Sequence, residues 1–249
     1  MADALKTRAS DEIAPECLAD SGRAVADLAH LAKNIIQVMS GCSEIIDLAL
    51  NTNQLDRVQK AWKLYQPSFW RLKKLQLDLI KYTKSYPLTL QPCDVNVPIA
   101  AAAKQMEPFF EKRSVRFSSH LANNLPSITA DGEKLRDTVV NLLVTAVDNL
   151  QDEPGQLSIS TSLMESGNAV RITVCDSGPH LDADACCALL TPHERCRNML
   201  GTGLEIPLAK QVIENHGGGL NLNTDQTETN TFEIILPAIA QSNSSNFKD

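Results

Sequence analysis

The sequence predicts two units in series. The first is an antiparallel helical hairpin that pairs with a second copy into a dimeric four-helix bundle; the second is an α/β sandwich, one mixed sheet covered on one face by helices. Four observations carry this fold class. Leu28, Leu31, Ile35, Val38, Cys42, Ile45 and Ala49 recur at alternating spacings of three and four, the mark of a heptad seam. A second seam runs through Val58, Trp62, Tyr65, Phe69 and Leu72, slips by one step, and continues through Leu75, Leu79 and Tyr82. Only the polar turn Asn51-Thr52-Asn53 separates the two, so the helices fold back on each other. From Pro98 to Pro237 the periodicity instead reads helix, strand, helix, two strands, loop, helix, two strands.

Taken in order, residues 1–15 form a polar N-terminal segment, and Ser10, Asp11 and Pro15 mark a helix start. The hairpin occupies 16–86. It carries more apolar surface than it can bury alone, and a second copy completes the bundle. With Leu28 at heptad position a, His30 falls at c, Lys33 at f and Asn34 at g, on or beside the solvent face. Pro67 removes one ladder hydrogen bond, so a kink or break is expected near 63–66, with Trp62, Phe69 and Trp70 packing into the bend. Pro87, Pro92 and Pro98 make a stiff connector, with extended pieces at Leu88 to Leu90 and Val95 to Val97.

The second domain spans 87–238. Pro98 stands in the first turn of a helix through Ala103, Met106 and Phe109, where a missing N–H costs nothing. Val115 and Phe117 start a strand. Asp131 caps a helix through Val139, Leu142, Leu143 and Ala146, with Asn141 in its middle. Leu157, Ile159, Thr161 and Leu163 alternate into a hairpin with Val170 to Val174 across Ser166-Gly167-Asn168. A helix through Leu204, Leu208 and Val212 ends at Asn215-His216-Gly217-Gly218, and the strand Thr231 to Pro237 closes the domain. Residues 239–249 read as a disordered tail.

A net charge of −7 argues against nucleic acid as the main partner, because phosphate contacts need clustered Lys and Arg. The longest apolar runs are far shorter than the roughly 20 residues that span a bilayer, and no signal peptide or lipidation motif begins the chain, so a cytoplasmic protein without membrane contact is expected. Seven cysteines (17, 42, 93, 175, 186, 187 and 196) with no CxxC argue for reduced thiols. Cys186, Cys187, His193 and Cys196 match no zinc spacing and read as structural.

Two stretches carry chemistry. The strand Val170 to Val174 ends in Asp176-Ser177-Gly178-Pro179, which suits a carboxylate accepting a hydrogen bond from a ligand laid on open backbone. Gly201-Thr202-Gly203-Leu204 opens a helix, leaving backbone N–H groups to meet phosphate oxygens. Asn141, Asp176 and the Gly201–Gly203 turn, in that order and spacing, resemble the N, G1 and G2 boxes of the ATP-binding domain of sensor histidine kinases. His30-Leu31-Ala32-Lys33-Asn34-Ile35 resembles their H box, so the resemblance covers roughly 24–237.

The resemblance implies a GHKL-type ATPase fold that binds ATP and Mg²⁺. Its cofactor set is Asn141, Asp176, Gly178, Gly201, Thr202, Gly203 and Leu204, with Asp176 on the adenine amino group and Asn141 and Thr145 at the metal. It makes His30 the phospho-acceptor, with Lys33 and Asn34 beside it in the catalytic set and Asn34 orienting water for dephosphorylation. Residues 180–200 are the expected lid. The implied partners are a second copy, a response-regulator receiver domain and a separate sensor protein, since no sensor domain precedes the hairpin.

The chain departs from the family pattern at several positions. Leu31 stands where an acid usually follows the histidine and cannot act as a base. Thr145 replaces the second asparagine of the N box, although a hydroxyl can also contact Mg²⁺. Asp148 stands where a phosphate-binding Lys is common, His180 replaces the second G1 glycine, and Glu205 replaces the glycine after Gly203-Leu204. Three such changes at about 1.5 kcal/mol each lower affinity more than a thousandfold. Two readings stay open: a divergent kinase that phosphorylates His30 and passes the group to a receiver aspartate, and a histidine phosphotransferase or pseudokinase scaffold that does not turn over ATP. A hydrolytic ATPase of the same fold is disfavoured by the hairpin and its histidine.

Overall fold

The computed structural model describes residues 15–84, 87–151, 153–190, 201–223 and 229–238. The N-terminal segment up to residue 14, the expected tail, His193, Cys196 and the second half of the expected lid lie outside them.

Helices α1 (Pro15–Asn51) and α2 (Leu55–Thr83) form the antiparallel hairpin. Leu28, Leu31, Ile35, Cys42 and Ala49 of the first seam are buried, but Val38 and Ile45 are 49% and 48% exposed. One partner helix covers only one side of α1, so the positions that drift round the helix face outward. Trp62, Phe69 and Trp70 are also exposed, which corrects their expected role as core filler. They pair along the surface instead: Trp62 stacks on Tyr65 at 5.6 Å, Phe69 meets Trp70 edge-on, and the Lys73 ammonium lies 4.9 Å from the Trp70 ring centre. The expected break before Pro67 does not occur, and α2 runs through it.

The second unit comprises β1 (Gln91–Cys93), α3 (Asn96–Lys112), β2 (Arg116–His120), β3 (Ile128–Ala130), α4 (Gly132–Asn149), β4 (Gln156–Leu163), β5 (Ala169–Asp176), α5 (Ala183–Leu189), α6 (Glu205–Asn215), β6 (Gly219–Asn223) and β7 (Asn230–Pro237). The main sheet has the order β2-β4-β5-β7-β6, with β2 parallel to β4 and the other pairs antiparallel. The sequence reading missed the short β1–β3 ribbon and α5. It also took Val95 and Val97 as extended, whereas Val97 is helical and Val95 begins the α3 turn, its N-cap backbone already in the helical region. Alternation over three residues is too short to separate a strand from one face of a helix.

The core lies between the sheet and helices α3, α4 and α6: Ile99, Met106, Leu135, Val139, Leu142, Leu143 and Ile213 pack on Leu157, Ile159, Ile172, Val174, Phe232 and Ile234. One polar cluster fixes the start of α4. Asp131 Oδ1 accepts from Lys134 N at 3.1 Å, as the cap requires, while Oδ2 accepts from Thr89 N at 3.0 Å. The Asp131 N–H donates to His216 Nε2 at 2.9 Å, so His216 carries its proton on Nδ1 and donates it to Val212 O at 2.7 Å. The beginning of α4 and the end of α6 are thereby joined. Asp131→Ala is expected to lower unfolding stability by about 1–2 kcal/mol through loss of the cap, with Asp131→Asn retaining most of it. Urea titration checks both, and equal losses would show that the negative charge matters more than the cap geometry.

Candidate functional site

The register of the sheet builds the first half of the site. Asp176, the last residue of β5, lies opposite Leu157 on β4 and Asn230 on β7. It is only 1% exposed. Its Oδ1 accepts three hydrogen bonds, from Asn149 Nδ2 at 2.7 Å, Gly178 N at 2.9 Å and Asn230 Nδ2 at 3.0 Å. Its Oδ2 is buried and has no hydrogen-bond partner. Asn230 also donates to Pro179 O at 3.1 Å and accepts from Leu181 N at 2.9 Å, tying the turn to the sheet. A Cβ at position 178 would lie 2.6 Å from Asn149 Nδ2 and 2.7 Å from Asn149 O, so this turn admits only glycine.

Burial pushes the Asp176 carboxyl above its ordinary value, against the pull of the bonds from Asn230, Asn149 and Gly178. A buried carboxylate oxygen with both lone pairs open fits a ligand that donates N–H, as the adenine amino group does.

The second half of the site is the glycine turn before α6, and there an acid of the chain itself takes the backbone donors. Thr202 N donates to Glu205 Oε1 at 2.8 Å and Gly203 N to Oε2 at 2.9 Å. Gly203 has φ of +78°, a value that suits glycine and aims both amides at the carboxylate. Lys74 of α2 donates from Nζ to Glu205 Oε1 at 2.5 Å and to Asp78 Oδ2 at 2.8 Å. The Thr202 hydroxyl lies 2.8 Å from Asp78 Oδ2 and 3.1 Å from Glu205 Oε1, and Arg71 Nε donates to Gly201 O at 3.1 Å.

Burial alone would push the Glu205 carboxyl up, but the Lys74 ammonium and the Thr202 amide outweigh it and hold the carboxyl below its ordinary value. Burial likewise works to lower Lys74, yet Glu205 and Asp78 together raise it. Since Glu205 is depressed, its contribution to stability is present above the unfolded glutamate value and is lost as pH falls through the folded one.

The turn therefore docks on the hairpin. Leu204, predicted beside the nucleotide, is fully buried with Leu28, Leu31, Ile35, Leu75 and Leu208. Leu31, in the position after the histidine, thus lies beneath the second domain, whereas His30, Lys33 and Asn34 are exposed on α1. Asn141 is half-buried and lines a cleft of about 470 Å³ between α2, α4 and α6 with Lys73, Lys81 and Lys134 among its walls. Thr145 donates its hydroxyl to Asn141 O at 3.0 Å. Asp148 is paired at 3.9 Å with Arg113.

Asn141, Thr145 and Asn149 stand at i, i+4 and i+8 and share one face of α4, which leads from that cleft to Asp176. That spacing was a legible signal for Asn149, which the sequence reading passed over. Asn230 and the trio Arg71, Lys74 and Asp78 left none, because their partners are 54 to 131 residues away. Asp176 thus leaves a buried acceptor open to an N–H donor, and the backbone donors of the glycine turn are taken by Glu205.

Residues 130–240 match the family model described as histidine kinase-, DNA gyrase B-, and HSP90-like ATPase. The chain is 29% identical over 167 residues to the sensor histidine kinase ZraS of Escherichia coli (strain K12), covering 67% of this chain and 35% of that one. The chain is thus similar to sensor histidine kinases, with the ATPase match confined to residues 130–240. It is also 26% identical over 224 residues to the adaptive-response sensory kinase SasA of Gloeothece citriformis (strain PCC 7424), covering 86% of this chain and 56% of that one. It therefore spans about a third to a half of the length of these kinases.

Among solved structures, histidine kinase ThkA in complex with the response regulator TrrA aligns over 90% of this chain and 64% of its own at TM-score 0.71 and 20% identity. Full-length ShkA in complex with AMPPNP aligns over 85% of this chain and 46% of its own at TM-score 0.60 and 20% identity. At that identity the likeness establishes the kinase fold. Among the described residues, no helix is long and apolar enough to cross a membrane.

Asp176→Asn separates binding from stability. Because the folded carboxyl titrates above its unfolded value, ionising it disfavours the folded state; the penalty is absent in acid and grows as pH rises through the folded value. The variant's thermal midpoint is expected to equal or exceed that of the parent at pH 8, with the difference shrinking toward pH 4, while binding of adenine compounds is lost. A midpoint several degrees lower at pH 8 would show the ionised carboxylate to be a net stabiliser.

Proposed function

We propose that this chain is a cytoplasmic two-component phosphotransfer protein whose His30 exchanges a phosphoryl group with the aspartate of a response-regulator receiver. The carrying observation is the contrast of neighbours on α1: His30 is exposed, while Leu31 is 3% exposed and sealed against Leu204 and Leu208. The histidine can meet a partner from outside, and the next side chain, where a base would be needed for attack on ATP, is a hydrocarbon under the second domain. The crystal structure of ThkA with TrrA supports a receiver as the class of partner for this fold.

In the transfer, a neutral imidazole nitrogen attacks phosphorus, an N–P bond forms, and the P–O bond to the aspartate breaks with its electron pair leaving on the carboxylate. An aspartyl phosphate is already an activated donor and asks less of the protein than ATP does. Lys33 and Asn34 flank the reacting group on the same exposed stretch, Asn34 one turn on from His30, where it can orient a water for hydrolysis of the receiver's phosphate.

Use of ATP as donor is the second reading, favoured by the buried, unpartnered Oδ2 of Asp176 at the adenine end. Asp176 and Gly178 would hold the base, the Gly201 to Leu204 turn would have to be freed to meet phosphates, and Asn141 with Thr145 would hold Mg²⁺. Bound ATP supplies the γ-phosphoryl group.

His30 is expected to take phosphate from a phosphorylated receiver faster than from labelled ATP, and His30→Ala to abolish both. Labelling from ATP at the faster rate would overturn the order of donors, and labelling that survives His30→Ala would remove His30 from the reaction. We also expect a homodimer through residues 16–84. Val38, Ile45, Leu48, Leu64 and Leu77 lie exposed along the hairpin, more apolar surface than a lone hairpin leaves in water. Sedimentation equilibrium at micromolar concentration decides it, and a helical monomer would end the bundle reading.

A further inference from the structure

We propose that Glu205 is the residue that sets what the nucleotide site accepts: its carboxylate stands in for phosphate on the Thr202 and Gly203 amides, so the docked chain takes an adenine nucleoside at Asp176 and excludes the polyphosphate chain. This rests on the reading of Asp176 as the adenine anchor given above.

Three features of the cradle carry it. First, the donors around Glu205 are those that a helix N-terminus offers an anion: two consecutive backbone amides, with the Thr202 hydroxyl and the Lys74 ammonium beside them. A phosphate would use the same set. Second, Glu205 is 5% exposed, with both oxygens engaged, so nothing else reaches the cradle while it is in place. An entering phosphate would meet a buried negative charge in a region of low dielectric, where repulsion is strong. Third, the adenine end does not share this closure, since Asp176 Oδ2 is buried without a partner. The Glu205 cradle is satisfied from within the chain, and Asp176 Oδ2 is not.

Lys74 makes the exclusion depend on the hairpin. It comes from α2, and its ammonium is the only cation bonded to Glu205 among the described residues. Any anion that displaces Glu205 must break that ion pair and leave Glu205 in need of solvent. Phosphate binding and docking of the G2 turn on the hairpin therefore oppose each other, and by linkage each weakens the other by the same factor.

The test is calorimetry on the full chain with adenosine, Mg²⁺-ATP and tripolyphosphate. In the parent protein adenosine and ATP should bind within about threefold of each other, and tripolyphosphate should not bind. Glu205→Gly, which empties the cradle, should tighten ATP at least tenfold, leave adenosine within threefold, and create tripolyphosphate binding. Circular dichroism confirms that the variant is folded. Should it not be, the isosteric Glu205→Gln carries the test, with ATP tightened more than threefold. Parent protein that binds ATP tenfold more tightly than adenosine would overturn the proposal, as would an unchanged ATP-to-adenosine ratio in the variants. If neither adenosine nor ATP binds to any form, the reading of Asp176 fails on its own. Tripolyphosphate then decides the role of Glu205: binding only after Glu205→Gly supports it, and no binding there overturns it.

Discussion

A carboxylate removed from water must be matched by donors or it drives the structure apart, and this chain buries two such groups, Asp176 at the end of β5 and Glu205 at the start of α6. The two are matched differently. Glu205 has a full complement, with a cation from another element and two amides from its own turn, and both partners of the ion pair are shifted toward the charged form. Asp176 has three neutral donors crowded on one oxygen and nothing on the other, and burial prevails over them. The first arrangement is that of a structural ion pair. The second is that of a site left incomplete by its own fold, which is where a ligand gains most by supplying a donor.

The hydrophobic contact and the polar clasp at the hairpin reinforce each other. Leu204 sits between Gly203, whose amide serves Glu205, and Glu205 itself, and its side chain is buried against Leu28, Leu31 and Leu75. The apolar seam keeps water from Glu205, while the Lys74 side chain stays 36% exposed, so burial strengthens the pair from its acidic side. In turn the pair fixes the register in which the leucines meet. The replacement of an acid by Leu31 and of a glycine by Glu205, two separate departures from the kinase pattern, thus fall on the same surface and serve one contact.

Much of this was legible before the fold was known. The strands at 157–163 and 170–176, the capped helix at 132 and the turn at 201–203 each announce themselves within a dozen residues, through period, cap or glycine, and the folded chain keeps them. What stayed hidden depends on pairings made at long range. Asn230 reaches Asp176 only because β7 lies beside β5 in one register, and no local pattern in a chain can state a register. Lys74 and Asp78 read as an ordinary i, i+4 surface pair until α6 is placed against them. The outward turn of Trp62, Phe69 and Trp70 was missed for a related reason, since a seam shows which residues avoid water but not which surface will cover them.

The pin between Asp131 and His216 gives helix α6 a fixed end and a releasable one. Its C-terminus is held to the start of α4 through a ring nitrogen, and its N-terminus is held to the hairpin through Glu205. At about 1.5 Å per residue, its 11 residues make a rod roughly 16 Å long. If the N-terminal hold is let go while the other stays, the rod swings as a lever, and a tilt of about 10° carries the glycine turn roughly 3 Å from α2 by the same rise. A displacement of that size is a hydrogen-bond length, and Ile206 and Ala209, buried in the same core as the sheet, set its limit.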